Sequence, residues 1–232
     1  KFSAFWQKAK ELGADYIATG HYARIEHEVL KEGKDKEKDQ SYFLWTLTGE
    51  DLSHTMFPVG NLEKSEVRKL ARKFNLPVSE KKDSQGICFI GDVSMEEFLS
   101  HFISTEPGDV LNTSGEVIGV HNGAVFYTIG ERHGFEILKK KPEDGAFFVV
   151  SKDIKSNTII VSNKEPEIIS LSPTKVIVKN INWITEPTEP LLSARIRYRG
   201  EKIPITVQNR ASDKMIVEFE KPVRGLSLGQ SI

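Results

Sequence analysis

The stretch from residue 2 to residue 24 constrains the fold more than any other. Phe2, Phe5, Trp6, Ala9 and Leu12 recur at helical spacing, so the chain opens on an amphipathic helix with no N-cap ahead of it. Gly13 suits the position just past its C-terminus. Ala14-Asp15-Tyr16-Ile17-Ala18 then reads as a short buried strand running into Thr19-Gly20-His21-Tyr22-Ala23-Arg24. Helix, apolar strand and glycine-containing turn are an α/β signature, and ligands of such sheets bind beyond the carboxyl ends of the strands. His21 therefore reads either as a site residue or as a loop histidine making one hydrogen bond.

Residues 26–40 carry charges of both signs, and 31–37 are expected to form a solvated loop. Lys38-Asp39-Gln40-Ser41 leads into Tyr42-Phe43-Leu44-Trp45, with Asp39 placed to cap a following helix. The aromatic run is expected to be core, a base-stacking platform being the alternative. Val67, Leu70, Ala71 and Phe74 mark a second helix that Asn75 can close and Pro77 prevents from continuing. Its other face, Lys64, Arg68, Lys69, Arg72 and Lys73, is either solvated or tracks phosphates.

The only cysteine, Cys88, lies in Lys81-Lys82-Asp83-Ser84-Gln85-Gly86-Ile87-Cys88-Phe89-Ile90-Gly91. It is a buried apolar side chain on a short strand, or a thiol biased toward thiolate by the lysines before it. A single cysteine excludes an intrachain disulfide framework and points to a reducing compartment. No apolar run approaches the ~20 residues of a membrane span, and no signal peptide is expected, because the stretch after Lys1 lacks a basic region followed by an apolar run. P-loop, dinucleotide and zinc-type spacings are also missing.

Ser94-Met95-Glu96-Glu97 forms a capping box that opens a helix to about Ile103, with Phe98, Leu99 and Phe102 as its apolar side. Beyond Pro107-Gly108-Asp109 strand signals dominate, at 110–111, 117–118, 147–150 and 158–161, punctuated by asparagines and glycines. Arg132 and His133 stand near glycines between them. Further strands at 175–184, 191–199, 203–207 and 214–219 suggest a small barrel or sandwich. In 191–199, Arg195, Arg197 and Arg199 alternate with apolar residues and would share one face. From residue 169 on the net charge is +4, against −1 for the chain, a nucleic-acid signal that cross-strand glutamates would equally absorb.

Taken together, several of these stretches resemble the tRNA-specific 2-thiouridylase family (MnmA type). They are residues 13–24, Lys38-Asp39-Gln40-Ser41-Tyr42-Phe43-Leu44, Phe57-Pro58-Val59-Gly60, residues 82–91, Tyr127-Thr128-Ile129-Gly130, Arg197-Tyr198-Arg199 and Gly229-Gln230. The resemblance implies an α/β fold, the remainder of a PP-loop nucleotide-binding domain (1–91). A mostly-β central domain (92–168) and a C-terminal β-barrel (169–232) follow. It implies a tRNA-modifying sulfurtransferase: ATP, with Mg, adenylates the C2 oxygen of a wobble uridine, and a cysteine persulfide supplies sulfur, giving 2-thiouridine and AMP. Cys88 matches the persulfide-bearing cysteine and Gly20 an ATP-site backbone position. His21, Lys38, Asp39, Gln40, Arg197, Tyr198 and Gln230 match tRNA contacts.

No protein-bound metal is expected. The implied partners are Lys-, Glu- or Gln-type tRNAs and a sulfur-relay protein or cysteine desulfurase, with no membrane. The expected setting is the bacterial cytoplasm, a mitochondrial homologue being the other placement. The ATP loop, its aspartate and a second cysteine would lie upstream of Lys1, so a piece that cannot turn over alone is expected. Glu131-Arg132-His133 stands where the family has glutamine-arginine-arginine. The competing readings are an RNA-binding module with a structural cysteine and another adenylating enzyme of similar fold.

Overall fold

The structure, a computed structural model, describes residues 1–81, 93, 95–185, 192–208 and 213–232. It divides into two compact units, 1–82 with 177–218 and 231–232, and 83–176 with 219–230.

In the first unit the opening helix is Ala4–Glu11. Gly13 adopts φ +83° and donates to the Lys10 carbonyl, while Ala14 donates to that of Ala9, a complete Schellman closure. The helix Lys64–Lys73 ends the same way on Asn75 (φ +51°), which donates to Arg72 as Leu76 donates to Ala71. Neither helix buries a residue: Phe5, Leu12, Leu70 and Phe74 are exposed, so periodicity located these helices without locating a cover for them.

The strand after Gly13 is only Ile17–Ala18, pairing in parallel with Thr55–Met56. Between these strands the helix Gly49–Ser53 is opened by a reciprocal Thr48/Asp51 capping box. Leu44, Leu47, Leu52 and Phe57 pack around the fully buried Ala23. A tight backbone approach lies beside that core: a Cβ on Gly60 would fall 1.8 Å from the Ala23 carbonyl oxygen.

Three expectations need correction here. The solvated loop expected over 31–37 is shorter, 33–37, because residues 31 and 32 end an antiparallel hairpin of Ala23–Glu26 with Val29–Glu32. The hairpin's two-residue turn, His27-Glu28, has both φ values positive (52° and 62°), the geometry that matches strand twist. Neither residue advertises such a turn, and the pairing of Ile25 with Leu30 over the core holds it. Second, Tyr42-Phe43-Leu44-Trp45 is a short 3-10 turn, Ser41–Leu44, that buries Leu44 but leaves Phe43 and Trp45 exposed. Third, the strand expected over 191–199 is Leu192–Ala194. The chain then turns through Arg199 (φ +60°), with Gly200 donating to the Arg197 carbonyl. The C-terminal strands form a four-stranded sheet in the order Lys175–Lys179, Lys214–Phe219, Ile203–Gln208, Leu192–Ala194.

In the second unit five strands are ordered Phe135–Ile137, Val117–His121, Gly108–Leu111, Thr158–Ser162, Phe148–Asp153. Gly108–Leu111 pairs antiparallel with Val117–His121 and parallel with Thr158–Ser162. Val110, Ile118, Val149, Ile159 and Val161 close its core with Tyr127. The helix expected to reach Ile103 is Met95–Ser100, and Phe102 is exposed beyond its end. The helix Glu165–Ser170, not anticipated from sequence, starts with Pro166 in its first turn. Ser94 lies outside the described residues, as does the whole 82–92 stretch that carries Cys88.

Candidate nucleotide and RNA site

The turn beyond Ile17–Ala18 is held at both ends. Thr19 donates its N–H to the Met56 carbonyl at 3.0 Å, prolonging the parallel ladder. Its hydroxyl meets His21 Nδ1 at 2.7 Å. Between them Gly20 faces open space: a Cβ there would meet nothing within 4 Å. Such a backbone can be approached closely by a ligand. Burial, then the charge of Lys1, lowers the His21 pKa, so the ring is neutral near pH 7. Phe2, tilted by 43°, and Phe57, in a T-shaped arrangement, lie 5.7 and 5.9 Å from its ring centre.

Tyr22 carries this turn to the Lys38-Asp39-Gln40 segment. Its N–H donates to Gln40 Oε1 at 3.1 Å, and its carbonyl accepts from the Gln40 N–H at 2.9 Å. Asp39 is 5% exposed. Its Oδ1 accepts from the N–H groups of Gly33 (2.8 Å) and Ser41 (3.3 Å), and its Oδ2 from the Ser41 hydroxyl (2.8 Å). Arg195 Nη1 approaches Oδ2 at 3.3 Å. Asp39 thus orders the segment from within, one residue earlier than a helix cap would.

Arg195 is the hinge pin of the site; sequence reading placed it in a row of three arginines but not among the site residues. Its Nη2 donates to Glu32 Oε1 at 2.9 Å and its Nε to the Gly200 carbonyl at 2.9 Å. Glu32 also binds Lys36 (2.9 Å) and Lys202 (3.0 Å). Burial would raise its pKa, but the hydrogen bonds from Lys36 and Lys202 outweigh it and hold the carboxyl at about 2. The expected single-faced row of three arginines therefore does not exist. Arg195 is absorbed by acids from the N-terminal hairpin and loop rather than by a neighbouring strand, and Arg199 sits over the Tyr198 ring at 5.0 Å.

The third tie is Tyr42, whose hydroxyl shares its proton between the carbonyls of Ile196 (3.1 Å) and Ser231 (2.8 Å). Phe43 meets Tyr198 at 4.7 Å between ring centroids. His21, Lys38, Asp39, Gln40, Arg197 and Tyr198 accordingly belong to one connected body. Gln230 belongs to the other unit, where its Oε1 accepts from the Ser227 N–H at 3.0 Å. Cys88 lies outside the described residues. Among the described residues no cluster of three or more His, Asp or Glu side chains suits a metal ion, and no helix is long and apolar enough to cross a membrane.

The lysine-rich face of the helix Lys64–Lys73 is partly committed. Arg68 donates to the carbonyls of Ser79 and Lys81, and Arg72 pairs with Glu80 at 2.7 Å.

Three domain models match the chain in succession: tRNA methyl transferase HUP domain over residues 1–92, tRNA methyl transferase PRC-barrel domain over 96–163, and Aminomethyltransferase beta-barrel domain over 173–232. Relatives match over essentially the whole of this chain. The chain is 44% identical to tRNA-specific 2-thiouridylase MnmA 2 of Aliarcobacter butzleri, over 100% of its own length and 66% of the relative's. It is 44% identical to tRNA-specific 2-thiouridylase MnmA 1 of Geobacillus kaustophilus, over 99% and 64%. For tRNA-specific 2-thiouridylase MnmA of Proteus mirabilis the figures are 42%, 100% and 65%.

This chain belongs to the tRNA-specific 2-thiouridylase family. The fold expectation is met: a HUP domain, a PRC-barrel-like domain and a C-terminal β-barrel domain follow one another. The chain spans just under two thirds of the length of the curated relatives it matches. The Gly20 turn and the Lys38–Gln40 segment of this chain fall in the HUP match and Arg195–Tyr198 in the barrel match.

Proposed function

We propose that the chain works in a tRNA-uridine 2-sulfurtransferase. The relatives' names support this class, and one observation in the structure carries it. Asp39 and Arg195 fasten the Lys38–Gln40 segment to the Arg197–Tyr198 segment, while Tyr22 ties the former to the open Gly20 turn. An exposed glycine backbone for a nucleotide and cationic, aromatic and amide side chains for RNA then share one rigid support. The three-part division at 1–91, 92–168 and 169–232 is part of the same proposal.

In this reading the wobble uridine C2 oxygen attacks the α-phosphorus of ATP and pyrophosphate leaves, with Mg accompanying the nucleotide. The Gly20 backbone lines the nucleotide site. The terminal sulfur of a persulfide on Cys88 attacks C2, and AMP departs. A second thiol, supplied from upstream, attacks the Cys88 sulfur. That frees 2-thiouridine and leaves the two cysteines as a disulfide. His21, neutral and held by Thr19, meets the RNA with Lys38, Gln40, Arg197, Tyr198 and Gln230. Asp39 holds rather than touches. The RNA partners are Lys-, Glu- or Gln-type tRNAs, the sulfur comes from a relay protein or cysteine desulfurase, and the setting is the bacterial cytoplasm. The domain descriptions speak of methyl transfer; the chain's lone cysteine and its relatives' names favour sulfur.

The test is Cys88→Ser, in the chain joined to the upstream segment the family resemblance calls for. With unmodified tRNA, ATP and a persulfide donor, nucleoside mass spectrometry should find 2-thiouridine for the parent protein only. Both proteins should bind tRNA alike. Unchanged thiolation by Cys88→Ser overturns the proposal.

A further inference from the structure

Phe43 is out of keeping with its surroundings. It sits in the middle of the turn Ser41–Leu44 and is 58% exposed. The turn is not a loose one. Ser41 is bonded to Asp39 through its N–H and hydroxyl, the Tyr42 hydroxyl is bonded to two carbonyls, and Leu44 is buried in the core. A large apolar ring is thus held in water by a rigid frame.

Its neighbours have a definite character. Tyr42 presents an edge at 5.7 Å and 80°, and Tyr198 lies at 4.7 Å, tilted by 44°. Arg199 rests on the Tyr198 ring at 5.0 Å. With Arg199 on one of its rings, the patch is aromatic and cationic rather than broadly greasy. Aromatic rings beside cations are what single-stranded nucleic acid binds: bases stack on the rings while the backbone meets the charges.

We infer that Phe43 is the stacking surface for one unpaired base of an RNA strand, with Tyr198 as its backing. This rests on the proposed function for the class of ligand, and adds a contact that the family resemblance does not assign to this residue.

The experiment uses the 232-residue chain and a tRNA anticodon stem-loop in which loop bases are replaced one at a time by 2-aminopurine. Stacking quenches the fluorescence of one probe position on binding, and Phe43→Ala should abolish that quenching. Its affinity should fall roughly 5- to 150-fold, the range for losing one base–aromatic stack. Phe43→Trp should retain affinity, and Phe43→Leu should bind nearly as weakly as Phe43→Ala. The salt dependence of binding should not change, because no phosphate contact is removed. Full affinity in Phe43→Ala overturns the inference and leaves the proposed function standing. Full affinity in Phe43→Leu also overturns it, pointing to a generic apolar contact such as a protein partner makes. A parent chain with no RNA affinity at low salt takes down both.

Discussion

Asp39 and Arg195, 156 residues apart in sequence, meet with Nη1 and Oδ2 3.3 Å apart. The carboxylate is almost wholly buried, and it also serves two backbone N–H groups. Removing Arg195 leaves that charge without its cation. Arg195→Ala should therefore destabilise the first unit by roughly 2–3 kcal/mol, somewhat below the cost for a fully buried pair because the arginine is partly exposed. Denaturant unfolding followed by tryptophan emission suits the measurement, since Trp6, Trp45 and Trp183 all lie in that unit. A double-mutant cycle with Asp39→Ala should show coupling well above experimental error.

RNA binding should separate holding from touching. Lys38→Ala should weaken tRNA binding and reduce the slope of log affinity against log salt by about 1, as expected for a lost phosphate contact. Arg195→Lys should weaken binding with the slope intact, because the Arg195 charge is already matched by Glu32 and Asp39. A reduced slope in the charge-removing Arg195→Gln would mean that this guanidinium meets the RNA itself.

Glycine substitutions should split the same way. Gly60→Ala places a methyl against the Ala23 carbonyl and should cost about 1–3 kcal/mol or more, seen as a lower melting temperature. Gly20→Ala meets no protein atom and should melt with the parent. If the Gly20 backbone lines the nucleotide site, Gly20→Ala should still weaken ATP binding, measured by calorimetry. An unaltered affinity would place the nucleotide elsewhere.

Acid should unfold the first unit through Glu32. Its pKa is about 2 in the fold against 4.5 as a free side chain, so the folded state binds fewer protons between those values. Its contribution is complete above about pH 4.5 and fades as pH falls toward 2. Tryptophan emission during acid titration should show this limb, and Glu32→Gln should flatten it. Glu167 is similarly held at about 2 by hydrogen bonds from Ser162, Lys164 and Thr113, so the second unit should show its own limb, insensitive to Glu32→Gln.

What the sequence determined by itself was local or repeated. Gly13 and Asn75 were legible as helix ends because a left-handed residue after an amphipathic run is a requirement of the nearest backbone alone. Four of the five strands in the sheet of the second unit were legible from short apolar runs set between asparagine and glycine turns, and Phe135–Ile137 was not. The motif stretches carried the family across the whole chain.

Tertiary structure decided whatever depends on a partner distant in sequence. His27-Glu28 turns because the strands on either side pair, not because of what those residues prefer. The arginine row is broken because Glu32 and Asp39 reach Arg195 from the other end of the chain. Asp39 is an internal brace, and Phe43 projects into water although its neighbours in sequence are core-like. Periodicity specifies which face a side chain takes along its own segment. Charge pairing and burial are set by what folds against that face, and no local pattern contains that information.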